Sequence, residues 1–241
     1  MYAASEFDAP AVVKQMKNGK RWPDKRLEYL KDDSDASMSD DDICDKWAKN
    51  GRAASARGTL LHYHGECLLN RVPVGEPHSP EFRQLCCLNA MLEELGYYPF
   101  RTEICLFSCK LCLAGQADAL YKHESTGHLC LFDWERTKAI RLDNPWRSLR
   151  EPLENLPDSN GWLYALQLNT YAWILEQEYD AIVAQMFLGH VHPTLGRGRL
   201  LEVPKMPEHM QLLVEDQIAR GLAVSDAAPG PHAPFVLPTT K

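Results

Sequence analysis

Two apolar stretches near the middle of the chain each carry an aspartate, and this pair most constrains the fold. Residues 113–120 read Leu-Ala-Gly-Gln-Ala-Asp-Ala-Leu, and residues 129–138 read Leu-Cys-Leu-Phe-Asp-Trp-Glu-Arg-Thr-Lys. Short apolar runs of this kind are typical of strands in a buried sheet. Because hard divalent cations prefer oxygen ligands, Asp118 and Asp133 on neighbouring strands predict a site for an ion such as Mg²⁺.

Two helical patterns lie on either side of these strands and place polar residues at a fixed spacing. Upstream, His62 and Glu66 are four residues apart, and downstream Gln167 and Tyr171 have the same separation. Residues four apart share a helix face. Each pair is therefore predicted to point in one direction from its helix.

Taken in order, these motifs resemble the PD-(D/E)XK nuclease superfamily, specifically its RecB-like and lambda-exonuclease-like branch. That branch carries G-x-x-x-H on a helix, a glutamate before a hairpin ending in G-x-x-D, D-x-K on the next strand, and Q-x-x-x-Y on a later helix. The matching positions are Gly58 and His62, Glu103, Gly115 and Asp118, Asp133 to Glu135, Gln167 and Tyr171, and the run His190 to Pro193 is also similar. The resemblance covers roughly residues 44–195.

The resemblance implies a nuclease that hydrolyses phosphodiester bonds in DNA, acting on single strands or duplex ends. Its cofactor would be Mg²⁺ or Mn²⁺, and its metal ligands would be His62, Glu103, Asp118 and Asp133. Gln167 and Tyr171 would contact the metal-bound water or a backbone phosphate. The basic run from Arg136 to Arg150 follows the acidic strand, and it either contacts phosphates or forms a solvated surface.

Glu135 departs from the family pattern, because the family has a lysine at this position. In the first interpretation Glu135 itself serves as a base or a metal ligand, as in some active members of the superfamily. In the second, Lys138 reaches back into the site, although strand alternation directs it away from Asp133 unless a bulge intervenes. In the third, the protein is an inactive nuclease that serves as a nucleic-acid or protein binding module.

The net charge and the hydropathy pattern bear on nucleic-acid binding and on cellular location. The net charge is −7, from 26 basic and 33 acidic residues, which is unusual for a protein that binds nucleic acid by charge alone. The first residues lack the basic-then-apolar order of a signal peptide, and no apolar run approaches the ~18 residues of a membrane span. We therefore expect an intracellular protein with no membrane association.

The cysteines raise the question of a second metal. Cys105, Cys109 and Cys112 are closely spaced among eight cysteines, and they form either part of a structural zinc site or ordinary apolar positions. Some relatives in the RecB-like branch hold an iron–sulfur cluster with three cysteines after the Gln-Tyr helix. No cysteine follows Cys130, so we expect no iron–sulfur cluster.

The order of predicted elements indicates an α/β (α+β) fold with a restriction-endonuclease-like core, in which helices flank a mixed central sheet. We expect a helical and acidic extension over residues 1–43, a nuclease-like domain over residues 44–221 and a disordered proline-rich tail over residues 222–241. One helix is predicted to begin near Asp40 and another to cover 53–69. Residues 141–158 are too long for a plain connector and are predicted to border the substrate groove.

Overall fold

The computed structural model describes residues 7–31 and 35–221. The predicted tail, residues 222–241, lies outside the described residues. The helices are α1 (Ala9–Lys17), α2 (Trp22–Lys25), α3 (Asp40–Leu69), α4 (Pro80–Glu94), α5 (Asn160–Glu178) and α6 (Pro207–Ala219), with a 3₁₀ turn at Arg26–Tyr29. The strands are β1 (Tyr97–Ser108), β2 (Leu113–His123), β3 (Leu129–Arg136), β4 (Val183–Val191) and β5 (Arg199–Glu202).

The five strands form one mixed sheet in the order β1-β2-β3-β4-β5. Neighbouring strands are antiparallel except β3 and β4, which are parallel. Parallel neighbours need a crossover, and α5 supplies it between β3 and β4. The predicted class, a mixed central sheet flanked by helices, is confirmed.

Each face of the sheet packs on its own helical layer. Leu120 and Leu131 face a core that includes Leu168 and Ile174 of α5, whereas Tyr121 and Phe132 face a core that includes residues of α3 and α4. This alternation follows from the two-residue period of side chains along a strand. The sheet is therefore covered by apolar side chains on both faces.

α3 is one continuous helix of 30 residues, so the prediction of two separate helices was wrong. Its start was predicted correctly: Ser39 is the N-cap, and a reciprocal hydrogen bond with Asp42 completes a capping box. Ile43 in the first turn is buried against Val13 and Tyr29 of the N-terminal segment. Gly51 lies in the interior of this helix, and the predicted domain boundary at residues 43/44 falls within its first turn.

The predicted limits of the other elements lie close to the observed ones. The sequence pattern predicts strands over residues 98–109, 111–121, 129–137, 181–190 and 199–203, and helices over 162–179 and 207–221. Each observed element begins and ends within two residues of these limits. Ser79 caps α4, Pro80 follows it, and Gly96 closes the helix at φ +82°. None of the helices in residues 7–31 and 35–221 combines the length and apolarity needed to cross a bilayer.

Gly189 of β4 gives a test of the packing between the sheet and α4. A Cβ atom at this position would lie 2.5 Å from Cζ of Phe132 and 3.1 Å from Cδ1 of Leu88. We predict that Gly189→Ala lowers the free energy of unfolding by about 1–3 kcal/mol, because overpacking forces buried side chains from their rotamers. Thermal unfolding should show a decrease of several degrees in Tm.

The matched control is Gly51→Ala in α3, where an added Cβ meets no atom within 4 Å. Alanine is the better helix former, so this variant should be as stable as the wild type or more stable. If Gly189→Ala unfolded at the wild-type temperature, the close approach of β4, Phe132 and α4 would be refuted.

Candidate active site

Three carboxylates form a row across β1, β2 and β3. Thr102 and Ile104 of β1 pair with Ala119 and Ala117 of β2, which places Glu103 opposite Asp118. The pairing of Ala119 with Phe132 continues the register and places Asp118 opposite Asp133. Because directly opposed residues of neighbouring strands project from the same face, the fold brings together three acidic groups that are far apart in sequence.

Glu103 differs from its strand neighbours in backbone conformation. Its φ is +49°, a left-handed value that is uncommon for a residue other than glycine. Its Oε2 accepts a hydrogen bond of 2.6 Å from Nε2 of Gln116, while its buried Oε1 has no donor among the described residues. Burial, followed by the negative charge of Asp118, raises the pKa of Glu103. An unpaired buried oxygen of this kind is a candidate ligand for a cation.

Asp118 links the sheet to α3. Its Oδ1 lies 2.9 Å from Nδ1 of His62, and its Oδ2 accepts a hydrogen bond of 2.8 Å from the backbone amide of Trp134. The hydrogen bond with Asp118 raises the pKa of His62 to about 9, although burial of the imidazole opposes this. The imidazolium form of His62 therefore supplies positive charge to the cluster at neutral pH.

His62, Glu103 and Asp118 could together hold a metal ion. One ligand atom from each lies within 4.8 Å of the other two, although α3, β1 and β2 supply them separately. Two carboxylates and one imidazole suit a hard or borderline divalent cation. The unpaired Oε1 of Glu103 fits this assignment because a bound cation would complete its interactions.

Asp133 lies beside this set and is more deeply buried, with 3% of its surface exposed. Its Oδ2 accepts a hydrogen bond of 2.7 Å from Nε2 of Gln167, and its Oδ1 lies 3.4 Å from the backbone amide of Asp118. Burial is the main factor that raises the pKa of Asp133 to about 8, and the charges of Asp118 and Glu135 contribute further. Burial and the neighbouring carboxylates therefore favour the protonated form of this carboxyl.

Glu135 is two residues further along β3 and therefore on the same face as Asp133. Burial raises the pKa of Glu135 to about 7, and interaction with the Tyr164 hydroxyl opposes the increase. Burial of the Tyr164 phenol, with the neighbouring Glu135 charge, raises the pKa of Tyr164 as well. Glu135 can consequently take up and release a proton near neutral pH, which is what a general base requires.

Gln167 and Tyr171 both contact protein groups that shape the site. Gln167 holds Asp133, as described above. The ring of Tyr171 lies so close to Gly115 that a Cβ atom there would be 2.4 Å from Cε1 of the tyrosine. Burial raises the pKa of Tyr171 to about 12, and its hydroxyl interacts with the backbone amide of Gln116. Both α5 side chains therefore support β2 and β3 from one helix face.

The structure places Arg136 and Lys138 away from the carboxylate row. Arg136 is on the other face of β3, where its guanidinium lies 3.2 Å from Oε1 of Glu81 and 14% of its side chain is exposed. Glu81 also contacts Arg57. Lys138 follows the strand and is exposed, and it forms no ion pair with Asp133 or Glu135 among the described residues.

Two residues of the site were missed by the sequence reasoning. Tyr164 could have been found, since it lies three residues before Gln167 and shares its helix face. Gln116 lies inside the predicted Gly-x-x-Asp motif, but its role depends on the conformation of Glu103.

Cys105, Cys109 and Cys112 are exposed free thiols. Within the described ranges they form no three-ligand cluster, so a zinc site built on all three finds no support.

No family model and no curated protein matches the sequence. Among solved structures, the chain is similar to a putative exonuclease from Eubacterium rectale, with a TM-score of 0.42 and 14% sequence identity over 78% of this chain and 76% of the other.

The protonation of the site predicts how metal binding depends on pH. The pKa values of Asp133 and Glu135 are raised in the folded protein, so their contributions to stability are present at low pH and are lost as pH rises from about 4 to about 8. The raised pKa of His62 gives a contribution that is lost between about 6.5 and 9. The Tm of the metal-free protein should therefore fall with increasing pH.

Metal ions compete with these protons, so Mn²⁺ should raise Tm more at pH 8.5 than at pH 6. At a concentration about 100-fold above Kd the increase should be roughly 5–10 °C. Differential scanning fluorimetry measures it, with Asp118→Asn as the variant that removes a ligand. An equal increase in this variant, or an increase that declines with pH, would exclude the proposed ligands.

Proposed function

We propose that this protein is a metal-dependent nuclease that hydrolyses phosphodiester bonds in DNA. The observation that carries the proposal is the row of Glu103, Asp118 and Asp133, with His62 against Asp118 and one oxygen of Glu103 left without a donor. Buried carboxylates without paired cations are costly. Their concentration at one place is therefore better explained by a charged ligand than by packing.

Mg²⁺ or Mn²⁺ is the cation that this donor set favours, with His62, Glu103 and Asp118 as ligands and Asp133 as a neighbouring fourth. When bound, such a cation stabilises charge on the phosphate and lowers the pKa of water. The protein's own contribution is to fix the ligands. Trp134 holds one oxygen of Asp118 through its backbone amide, and Gln116 holds one oxygen of Glu103.

Glu135 would act as the proton acceptor. It replaces the lysine of the related nucleases, lies on the face of Asp133 and has a pKa raised to about 7. Its carboxylate would receive a proton from the attacking water, while Tyr164 orients the carboxylate. Gln167 keeps Asp133 in position next to it. Single strands or duplex ends are the proposed substrates, as the family resemblance implies.

One observation favours a second function, that of an inactive module that binds nucleic acid or protein. Among the described residues, neither Arg136 nor Lys138 forms an ion pair with Glu135. These two residues therefore do not supply the positive charge of the lysine found in the nucleases that the sequence resembles. A site that lacks this charge could still bind a phosphate backbone through its metal. Activity measurements separate the two functions.

The first test is cleavage of end-labelled DNA, both single-stranded and duplex, in the presence of Mn²⁺. Asp118→Ala should reduce cleavage by about 100-fold or more, because it removes both a metal ligand and the partner of His62. The matched control is Asp45→Ala, which removes an exposed carboxylate from α3. Cleavage that survived in Asp118→Ala would trace the activity to a contaminant or to another site.

The second test separates the interpretations of Glu135. If Glu135 accepts the proton, Glu135→Gln should lower the rate by about 10²-fold or more with little change in DNA affinity. Glu135→Lys should also lower the rate, since the ammonium cannot take that proton at neutral pH. A sharp gain of activity in Glu135→Lys would instead identify Glu135 as an inactivating departure and support the binding module.

A further inference from the structure

Trp146 is an exposed tryptophan on the long segment between β3 and α5. Its side chain is 89% exposed, more than any other large apolar residue that the structure describes. Exposing an indole to water is unfavourable, and aromatic side chains at such positions commonly serve recognition. The segment from residue 137 to residue 159 therefore contains a feature that folding does not explain.

The segment that carries Trp146 is held in place at both of its ends. At the first end, the backbone of Arg141 bonds Oδ1 of Asn160 and the amide of Gly161 in the first turn of α5. At the second end, Nδ2 of Asn144 donates to the carbonyl of Asp158 at 2.6 Å. The indole of Trp162 also donates to the carbonyl of Leu142.

Buried leucines fill the space beneath the segment. Leu149, Leu153 and Leu156 belong to the core on the α5 side of the sheet. The amide of Leu149 donates to the carbonyl of Leu156, and the amide of Asp158 donates to the carbonyl of Arg147. Trp146 thus projects from an anchored backbone, so binding a ligand would require little conformational entropy to be lost in this segment.

Arginines surround Trp146 in the sequence and are free to contact a ligand. Residues 138–150 contain four basic residues and one acidic residue. Arg141, Arg147 and Arg150 are exposed, and their guanidinium groups form no ion pair with other described residues. A positive surface around an exposed aromatic ring matches a chain of phosphates with unpaired bases.

Arg141, at one end of this surface, lies one helical turn from the candidate active site. Asn160 and Gly161, which bind the backbone of Arg141, precede Tyr164 by one turn of α5. Tyr164 in turn interacts with Glu135. A strand that contacts the Trp146 surface can therefore continue towards the carboxylate row.

We propose that Trp146 stacks on an unpaired base of single-stranded DNA, and that Arg141, Arg147 and Arg150 contact the adjoining phosphates. The inference rests on the proposed nuclease function, and it names the substrate form that this site selects. Bases in a duplex are stacked on one another, so the duplex offers Trp146 no free base face.

Binding of the full-length protein to oligo(dT) and to a blunt duplex of equal length tests the stacking. Fluorescence anisotropy in EDTA prevents cleavage during the measurement. Trp146→Ala should weaken oligo(dT) binding about tenfold and duplex binding much less, whereas Trp146→Phe should retain most of the affinity. Unlabelled oligo(dT) should quench tryptophan fluorescence in the wild type, and Trp146→Phe should lose most of this quenching.

The control is Tyr98→Ala, which removes another exposed aromatic side chain at the start of β1, and it should bind oligo(dT) like the wild type. Arg147→Gln tests the phosphate contacts: the slope of log affinity against log salt should become shallower by about 0.7. The melting temperature of Trp146→Ala should equal that of the wild type, because this side chain packs against little of the protein.

Wild-type affinity for oligo(dT) in Trp146→Ala would overturn the inference. So would self-association that depends on Trp146 while oligo(dT) affinity is unchanged, since that would mark a protein interface. A different result would reject only the nuclease function: oligo(dT) binding would depend on Trp146, but the protein would cut no strand in the presence of Mn²⁺. That combination would support the stacking and reject the hydrolysis.

Discussion

The electrostatic cost of the buried carboxylates governs the organisation of this protein. Glu103, Asp118 and Asp133 lie in one row across three strands, and the imidazole of His62 is the cationic group that interacts with Asp118. Burial raises the pKa of Asp133, so a bound proton lowers the electrostatic cost of this row. A divalent cation would displace protons from these side chains, so metal binding and protonation compete for the same groups.

Packing around the row serves to place these groups. α3 approaches β3 closely at Gly65, where a Cβ atom would lie 2.9 Å from the ring of Trp134, and this approach brings His62 to Asp118. Trp134 also donates its amide to Asp118. On the other side of the sheet, Gly115 allows Tyr171 to pack against β2. Gly65 and Gly115 thus set how near α3 and α5 come to the carboxylates.

Strand alternation and helix periodicity predicted much of this arrangement. They placed Asp118 and Asp133 on neighbouring strands and Gln167 on a helix, and the structure shows the amide of Gln167 bonded to Asp133. The acidic run before Asp40 also predicted where α3 begins. These features depend on local sequence, where propensity and spacing carry the information.

Features that depend on distant residues could not be predicted in this way. Arg136 was expected to contact substrate, but Glu81, 55 residues away in sequence, binds its guanidinium. The left-handed backbone of Glu103 has no signature in residue type. Gly51 is unfavourable inside a helix, yet α3 continues through it, and the first turns of α3 pack on the N-terminal segment. Whether Lys138 could reach the site depended on a bulge, and β3 pairs regularly with β4 from Cys130 to Arg136.

The most direct test of this account is a diffraction experiment on crystals soaked in Mn²⁺, measured near the manganese absorption edge. The account predicts an anomalous peak within coordination distance of His62, Glu103 and Asp118, with Asp133 adjacent. A peak at the exposed cysteines instead, or the absence of any peak at the carboxylate row despite full soaking, would contradict it.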